Sequence, residues 1–188
     1  MKSNKIMLAA VMALGMTSMA AHAANQGQGS VTFNGSIIDA PCSITPESVD
    51  QTVELGQVSN ALLKKGGMST PKAFTIGLEH CTLETSVPEV PGGETRKNNT
   101  VSVTFTGIAS EIKGHESMLS ISGQASGASV AITDAGGKLV ELGKPSPLVG
   151  LNEGNTALRF AAYLQGANGG EVVPGDFSAV ADFTLAYQ

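Results

Sequence analysis

The chain has 188 residues with 23 glycines, 8 prolines and no tryptophan, only 14% of its residues are charged, and its net charge is −5. This balance argues against nucleic-acid binding, because phosphate backbones attract clustered Lys and Arg and the 11 basic residues are scattered. Many turn formers, few charges and no long helical period predict a single all-β domain.

The first 23 residues predict a secretory signal peptide. Two lysines precede an apolar run over residues 6–13, and the segment ends in Ala21-His22-Ala23, a small-x-small cleavage site. The run is too short to span a bilayer as a permanent helix, although a membrane anchor is the alternative. Cleavage after Ala23 leaves residues 24–188, enough for one domain with its own core.

The stretch over residues 25–35 predicts an extended strand with an unusual face. Side chains repeat every two residues along a strand. One face therefore carries Gly27, Gly29, Val31, Phe33 and Gly35. Glycines weaken a strand and pack nothing, so this face suits a strand that lies on another sheet where one position admits no side chain. We interpret it as a strand meant for a partner; a frayed N terminus leading into an ordinary first strand is the alternative.

The two cysteines, Cys42 and Cys81, both lie beyond the signal peptide. An even number of cysteines in an oxidising compartment is most simply explained by a disulfide. A metal site would need more ligands than these and the distant His80 and His115, and a catalytic thiol pair is more often CxxC. We expect no metal and no cofactor.

Alternating apolar residues predict a series of strands. They cover residues 32–39, 52–55, 74–81, 101–105, 128–132 and 156–165. Residues 58–65, closed by Gly66-Gly67, predict one or two helical turns, and the Pro- and Gly-rich residues 84–100 predict a surface loop. Asp134-Ala-Gly-Gly137 predicts a hairpin turn before residues 138–142.

The C-terminal residues predict the most regular strand of the chain. Its inward face carries Phe177, Ala179, Ala181, Phe183, Leu185 and Tyr187 without a break. The strand ends at Gln188, the last residue, so nothing follows it to cover its edge. A long apolar edge is an aggregation hazard that proteins normally cover, and both ends of this immunoglobulin-like sandwich therefore look incomplete.

Together these features resemble the pilin subunits of bacterial chaperone–usher fimbriae, above all the major rod subunits of the P-pilus and type 1 kind. The resemblance covers the whole chain after the leader. It rests on Gly27-Gln-Gly29 before Val31-Thr-Phe33-Asn-Gly35, on Asp39-Ala-Pro-Cys42 with Cys81, on Gly56-Gln-Val58, and on Gly175 with the penultimate Tyr187 in the ending Phe183-Thr-Leu-Ala-Tyr187-Gln188.

The resemblance implies an incomplete immunoglobulin-like sandwich that lacks its last strand, with residues 24–36 as a donor-strand extension and 37–188 as the pilin domain. It implies a groove beside the final strand, formed by residues 175–188. A periplasmic chaperone fills this groove first, and the extension of the neighbouring subunit replaces it at the outer-membrane usher. The expected product is a head-to-tail fimbria on the cell surface that serves adhesion.

The sequence gives an enzyme little support, because it has neither a GxSxG nor an HExxH motif and no phosphate-binding glycine loop. We expect His80 to be a partly exposed strand residue and His115 to lie in a polar loop. A two-domain adhesin would need an extra lectin domain, for which the chain has no room. A minor adaptor or terminator subunit of the same fibre is the alternative function, followed by an unrelated secreted β-sandwich protein.

Overall fold

The structure, a computed structural model, describes residues 29–83 and 99–188. The expected signal peptide, Gly27 and residues 84–98 of the expected loop lie outside the described residues. The chain divides into two units, Met1–Ile37 and Ile38–Gln188. None of the helices in the described ranges is long and apolar enough to cross a membrane.

In its described residues, the second unit has ten β-strands, which form most of its regular secondary structure. They are β1 (Ser43–Ile44), β2 (Lys72–Cys81), β3 (Thr100–Gly107), β4 (Leu119–Ser120), β5 (Ser122–Gly123), β6 (Ala128–Asp134), β7 (Val149–Gly150), β8 (Gly154–Gly166), β9 (Phe177–Ser178) and β10 (Ala181–Tyr187). Its short helices are α1 (Pro46–Val49) and α2 (Asn60–Leu63), and α2 runs on into a 3₁₀ turn, Lys64–Gly66. The predicted helical turns are thus confirmed.

These strands form a five-stranded sheet in the order β1-β2-β8-β6-β4, a three-stranded sheet β10-β3-β7 and a two-stranded ribbon β5-β9. Every one of these pairs is antiparallel. The predicted fold class, an incomplete immunoglobulin-like sandwich, is confirmed.

The core follows from strand periodicity. Along β8 the buried and exposed residues alternate, so Leu158, Phe160, Ala162 and Leu164 share the buried face, as predicted. Phe160 packs edge-on against Phe105 of the other sheet, with ring centroids 5.0 Å apart. Such aromatic pairs add about 0.5–1.5 kcal/mol beyond area burial, so this contact helps to hold the two sheets together.

The predicted hairpin after β6 is present. The Asp134 carboxylate accepts hydrogen bonds from the N–H groups of Gly136 and Lys138, both at 2.9 Å, and Gly137 has a φ of 79° that favours glycine. Lys138–Leu142 is not a regular strand, although Val140 donates its N–H to Ile132 at 2.9 Å.

Cys42 and Cys81 form the predicted disulfide, and both are buried. Cys42 directly precedes β1 and Cys81 ends β2, so the bond fixes the point at which the chain enters the sandwich. The backbone supports the same junction, because Thr82 donates its N–H to the carbonyl of Pro41 at 2.9 Å.

We expect Cys42→Ser to be strongly destabilising. The disulfide closes a loop with a sequence separation of 39, and the loss of that constraint is worth about 4 kcal/mol in the chain-entropy model. The variant should be degraded before assembly, measured as its steady-state level in the cell envelope. The Cys42→Ala/Cys81→Ala double variant controls for the stray thiol. Wild-type amounts of fibre from both variants would contradict the prediction.

Candidate functional site

The last strand leaves its outer edge open. Within the described residues, β10 pairs only with β3, at the end of its sheet. Gln188 exchanges both backbone hydrogen bonds with Thr100, each at 2.9 Å. Hydrogen-bonded and non-hydrogen-bonded pairs alternate in an antiparallel ladder, so every second residue of β10 directs its N–H and C=O groups away from β3. By the observed register these residues are Ala181, Phe183, Leu185 and Tyr187.

The same four residues turn their side chains inward. Exposure alternates along β10, and these four side chains are half-buried and packed against the core, whereas those of Asp182, Thr184 and Ala186 are exposed. The residues of β10 whose side chains point inward are therefore the same residues whose backbone N–H and C=O groups are unpaired at the outer edge. A strand added at this edge could bond to their backbone and lay its own side chains beside theirs.

An open groove of about 1520 Å³ runs along this part of the molecule. Its floor is the hydrophobic core itself, formed by Phe105, Val130, Ile132 and Leu164, all buried by the surrounding sheets. Ala181 and Phe183 contribute one wall. A groove of this volume with core residues as its floor lacks a piece of the sandwich, which agrees with the predicted missing strand.

The opposite wall of the groove includes residues 49–58, with Leu55 and Val58 packed against the core. The strand predicted over residues 52–55 is wrong, because these residues are in no strand of the structure. Their alternating pattern suits an extended chain, but a strand also requires a hydrogen-bonded neighbour. This wall, like the β10 edge, lacks one in the single chain.

Gly175 holds the start of the C-terminal segment close to a neighbouring loop. A Cβ at this position would lie 2.8 Å from the backbone nitrogen of Ala125 and 2.7 Å from Cβ of Gln124. The carbonyl of Asp176 accepts hydrogen bonds from the N–H groups of both these residues. Only glycine permits this approach, and Phe177 and Ala179, which follow it in the chain, line the groove.

The uninterrupted strand predicted from residue 177 to residue 187 is wrong in one respect. The structure has two strands, because Phe177–Ser178 pairs with Ser122–Gly123 while Ala181–Tyr187 pairs with β3. Ala179 and Val180 lie in no strand, at the point where the chain passes from one partner to the other. The inward alternation nevertheless continues through the break, since Phe177 and Ala179 are half-buried and Val180 is exposed.

The first unit presents the apolar residues of the predicted donor segment. Residues 29–37 are exposed and form no strand, so the strand predicted over residues 32–39 does not form within one chain. Val31 is 76% and Phe33 89% exposed, and nothing lies within 4 Å of a Cβ placed on Gly29 or Gly35. An apolar segment exposed to this degree requires another surface to cover it.

Ile37 is a residue that the sequence interpretation missed. It is fully exposed and shares the alternation of Val31 and Phe33, from which it is separated by Gly35. The same period-two count that identified the first two residues also reaches Ile37. It was overlooked because the expected segment ended at residue 36.

Candidate catalytic groups do not assemble into a site. His115 lies in a loop, as expected, but is buried there, and its Nδ1 lies 3.0 Å from the hydroxyl of Ser129, which in turn lies 2.7 Å from that of Ser110. Ser129 is 0% exposed, so a substrate cannot reach its hydroxyl. The network joins a loop to β6. In the described ranges no group of three His, Cys, Asp or Glu residues could hold a metal ion.

Penultimate Tyr187 is buried at its polar end. Its hydroxyl has no hydrogen-bond partner, and burial raises the pKa of this group, so the phenol is neutral. A buried hydroxyl without a partner costs free energy, and the aromatic ring is therefore the part of Tyr187 that contributes to packing.

The known proteins to which this chain is similar are fimbrial subunits. A family model described as "Fimbrial protein" matches residues 31–188. The chain is 55% identical to the Fimbria A protein of Serratia marcescens and 50% identical to the Major MR/P fimbria protein of Proteus mirabilis, with 100% of both chains covered in each case. The structure is similar to the crystal structure of the P pilus rod subunit PapA, with a TM-score of 0.66 and 35% identity over 79% of this chain and 100% of that one.

A second solved structure extends the comparison from the isolated subunit to the fibre. It is a chaperone–usher pilus, to which the chain is similar with a TM-score of 0.70 and 38% identity. The similarity covers 87% of this chain and 97% of that chain.

Proposed function

The chain belongs to the fimbrial protein family, the structural subunits of bacterial surface fimbriae, and we propose that it assembles by donating its N-terminal segment to the groove of the next copy. The family places it in a surface fimbrium as a structural protein and not an enzyme, polymerised with neighbouring subunits. The similarity to named major subunits favours the rod over a minor position in the fibre.

One observation carries the donation proposal: the chain has an unpaired apolar segment and an unfilled apolar groove. Gly27, Gly29, Val31, Phe33 and Gly35 form the donor face, extended by Ile37. The acceptor combines residues that line the groove, Gly175, Phe177, Ala179, Ala181 and Phe183, with Leu185, Tyr187 and Gln188 further along the β10 edge. The corresponding division is residues 24–36 as extension and 37–188 as pilin domain.

The energetics favour a stable joint. Burying Val31, Phe33 and Ile37 contributes about 1.5–3 kcal/mol each, and every main-chain bond to the free β10 edge adds about 0.5–1.5 kcal/mol net. All strand pairs in the described residues are antiparallel, and antiparallel pairs are slightly more stable than parallel ones. We therefore orient the donor antiparallel to β10.

We place Gly29 opposite Tyr187 in this joint. Inward residues of paired strands face each other, so the odd-numbered donor residues lie opposite the odd-numbered residues of β10. With Gly29 opposite Tyr187, the glycine without a side chain meets the largest side chain of the strand. The same register sets Phe33 opposite Phe183 and Gly35 opposite Ala181.

The subunit must also be exported before it can assemble. An open groove exposes the core of a monomer, which requires protection before assembly. We propose that the leader, residues 1–23, directs the chain to the periplasm, that a periplasmic chaperone lends a strand to the β10 edge, and that an outer-membrane usher exchanges this strand for the donor segment.

An alternating substitution pair tests the donor segment. Phe33→Asp places a charge on the inward face, and we expect fibre formation to fall by at least about tenfold because an unpaired buried charge costs several kcal/mol. Asn34→Asp is the matched control on the opposite face and should assemble normally. The measurement is polymer formed from the purified chaperone–subunit complex. Equal polymerisation of the two variants would disprove the donated-strand register.

A further inference from the structure

An exposed aliphatic pair stands at one end of the groove. Val180 is 74% and Ile108 78% exposed. The register pairs Ala181 with Gly107, so Val180 and Ile108 follow as the next facing positions, and the carbonyl oxygen of Val180 lies 2.7 Å from the place of a Cβ on Gly107. We call Val180 and Ile108 the mouth patch.

The mouth patch lies on the outer face of the β10–β3 sheet. Val180 alternates with the inward Ala179 and Ala181, and Ile108 follows the exposed Gly107 at the end of β3. The nearby outer-face residues Thr106, Asp182 and Thr184 are polar. Two neighbouring β-branched aliphatic side chains at the end of an otherwise polar face indicate a surface that is covered in the assembled state.

The patch is continuous with the groove. Val180 itself lines the groove between Ala179 and Ala181. An antiparallel donor has its N-terminal end near Tyr187 and leaves the groove beside Val180. The second unit of the donor begins at Ile38, five residues after Phe33, which is roughly 17 Å of extended chain, so the body of the donor subunit must lie next to this end.

The donor carries a matching apolar residue. Ile38 is 58% exposed and follows Ile37, with the opposite side-chain direction. With Gly29 opposite Tyr187, Ile37 lies opposite Ala179 inside the groove. Ile38 then lies on the outer face opposite Ser178 and diagonal to Val180, a separation of about 7–8 Å that long side chains can span.

We infer that Ile38 of one subunit packs on Val180 of the next, beside Ile108, forming a second contact between neighbouring subunits outside the groove. This contact rests on the proposed strand donation, which brings the two segments together. Its occupant is a second copy of this chain, and its role is to fix the donor subunit at the groove end against leaving.

A charge exchange tests the contact in purified fibres. Val180→Asp and Ile38→Lys each replace an exposed aliphatic residue by a charge, and surface changes of this kind alter subunit stability by about 0.5 kcal/mol or less. We expect fibres of either variant to dissociate in denaturant about tenfold faster than wild-type fibres, because a charge is left against apolar surface. The double variant Ile38→Lys/Val180→Asp pairs the charges and should return to within about threefold of wild type.

The controls separate this contact from donation itself. Thr184→Asp is the matched charge on the same strand and face away from the mouth, and should dissociate like wild type. Phe33→Asp reports on strand donation alone. Wild-type dissociation of Val180→Asp, an equal effect of Thr184→Asp, or a double variant no better than its worse parent would overturn the inference while leaving donation intact. If Val180→Asp does not accumulate, the isosteric Val180→Thr replaces it, with an expected change of about threefold.

Discussion

Gly29→Leu is expected to slow strand exchange strongly while leaving the subunit and its chaperone complex intact. Nothing in the single chain lies within 4 Å of a Cβ at this position, so a side chain there disturbs no contact of the monomer. In the proposed joint Gly29 faces Tyr187, where a leucine would collide with the ring and prevent Val31 and Phe33 from seating in register. Overpacking costs about 1–3 kcal/mol, which slows exchange by roughly tenfold or more.

The measurement is polymerisation of the purified chaperone-bound variant mixed with wild type. Ser30→Leu carries the same side chain on the opposite face of the segment and should polymerise normally. If residues 25–35 were instead an ordinary first strand of the subunit, Gly29→Leu would destabilise the monomeric complex itself. Normal polymerisation of Gly29→Leu would remove Gly29 from its proposed position.

Predictions from the sequence succeeded where a strand finds its neighbour within the chain. Phe74, Ile76 and Leu78 alternate in the sequence and lie in β2, which pairs with β8 in an unbroken register from Lys72 to Leu78. The inward face of the C-terminal segment was likewise predictable, because period-two alternation depends only on the pleat. The disulfide followed from the even cysteine count.

The sequence prediction failed where structure depends on a partner or on a distant residue. Residues 52–55 have the pattern of a strand, but the single chain offers them no pairing edge. His115 lies in the expected loop, but nothing in its polar neighbours indicates that it is buried beside Ser129, a strand residue. Such contacts join residues far apart along the chain and leave no local periodicity. The break at Val180 arises in the same way, from the pairing of Phe177 with Gly123.

The open groove explains why the incomplete pattern is functional. The alternation along β10 predicts a buried face, but in the single subunit that face is only half-covered. The proposed donor segment, in contrast, has an apolar face and no sheet to cover it. Each defect is unfavourable in a monomer, and the proposed head-to-tail contact would remove both at once. Because such a contact does not close on itself, the product is a filament.

Extending the chain beyond Gln188 is expected to lower the amount of chaperone-bound subunit by about tenfold or more. Gln188 is held in the subunit by backbone hydrogen bonds with Thr100, whose hydroxyl also donates to the Gln188 oxygen at 2.8 Å. We propose that the chaperone binds a carboxylate at Gln188; a short glycine–serine extension keeps the bonds to Thr100 but removes that carboxylate. A charged hydrogen bond from a basic chaperone residue is worth about 1.5–3 kcal/mol, and its loss gives the expected change.

Deletion of Tyr187 and Gln188 is a less specific test, because it also removes the bonds to Thr100 that close β10 in the subunit. A matched extension control is an insertion of the same residues between Gly169 and Gly170, both exposed and with nothing within 4 Å of a Cβ. It should leave capture unchanged.

Two substitutions at Tyr187 separate packing from charge at this edge. Tyr187→Phe removes a buried hydroxyl without a partner and should be neutral or slightly stabilising, whereas Tyr187→Asp interrupts the inward apolar row and should prevent capture. All variants are compared by the amount of subunit that co-purifies with a tagged chaperone. If the chain extended at Gln188 co-purifies at the wild-type level, or if Tyr187→Asp does, β10 is not the strand with which the chaperone pairs.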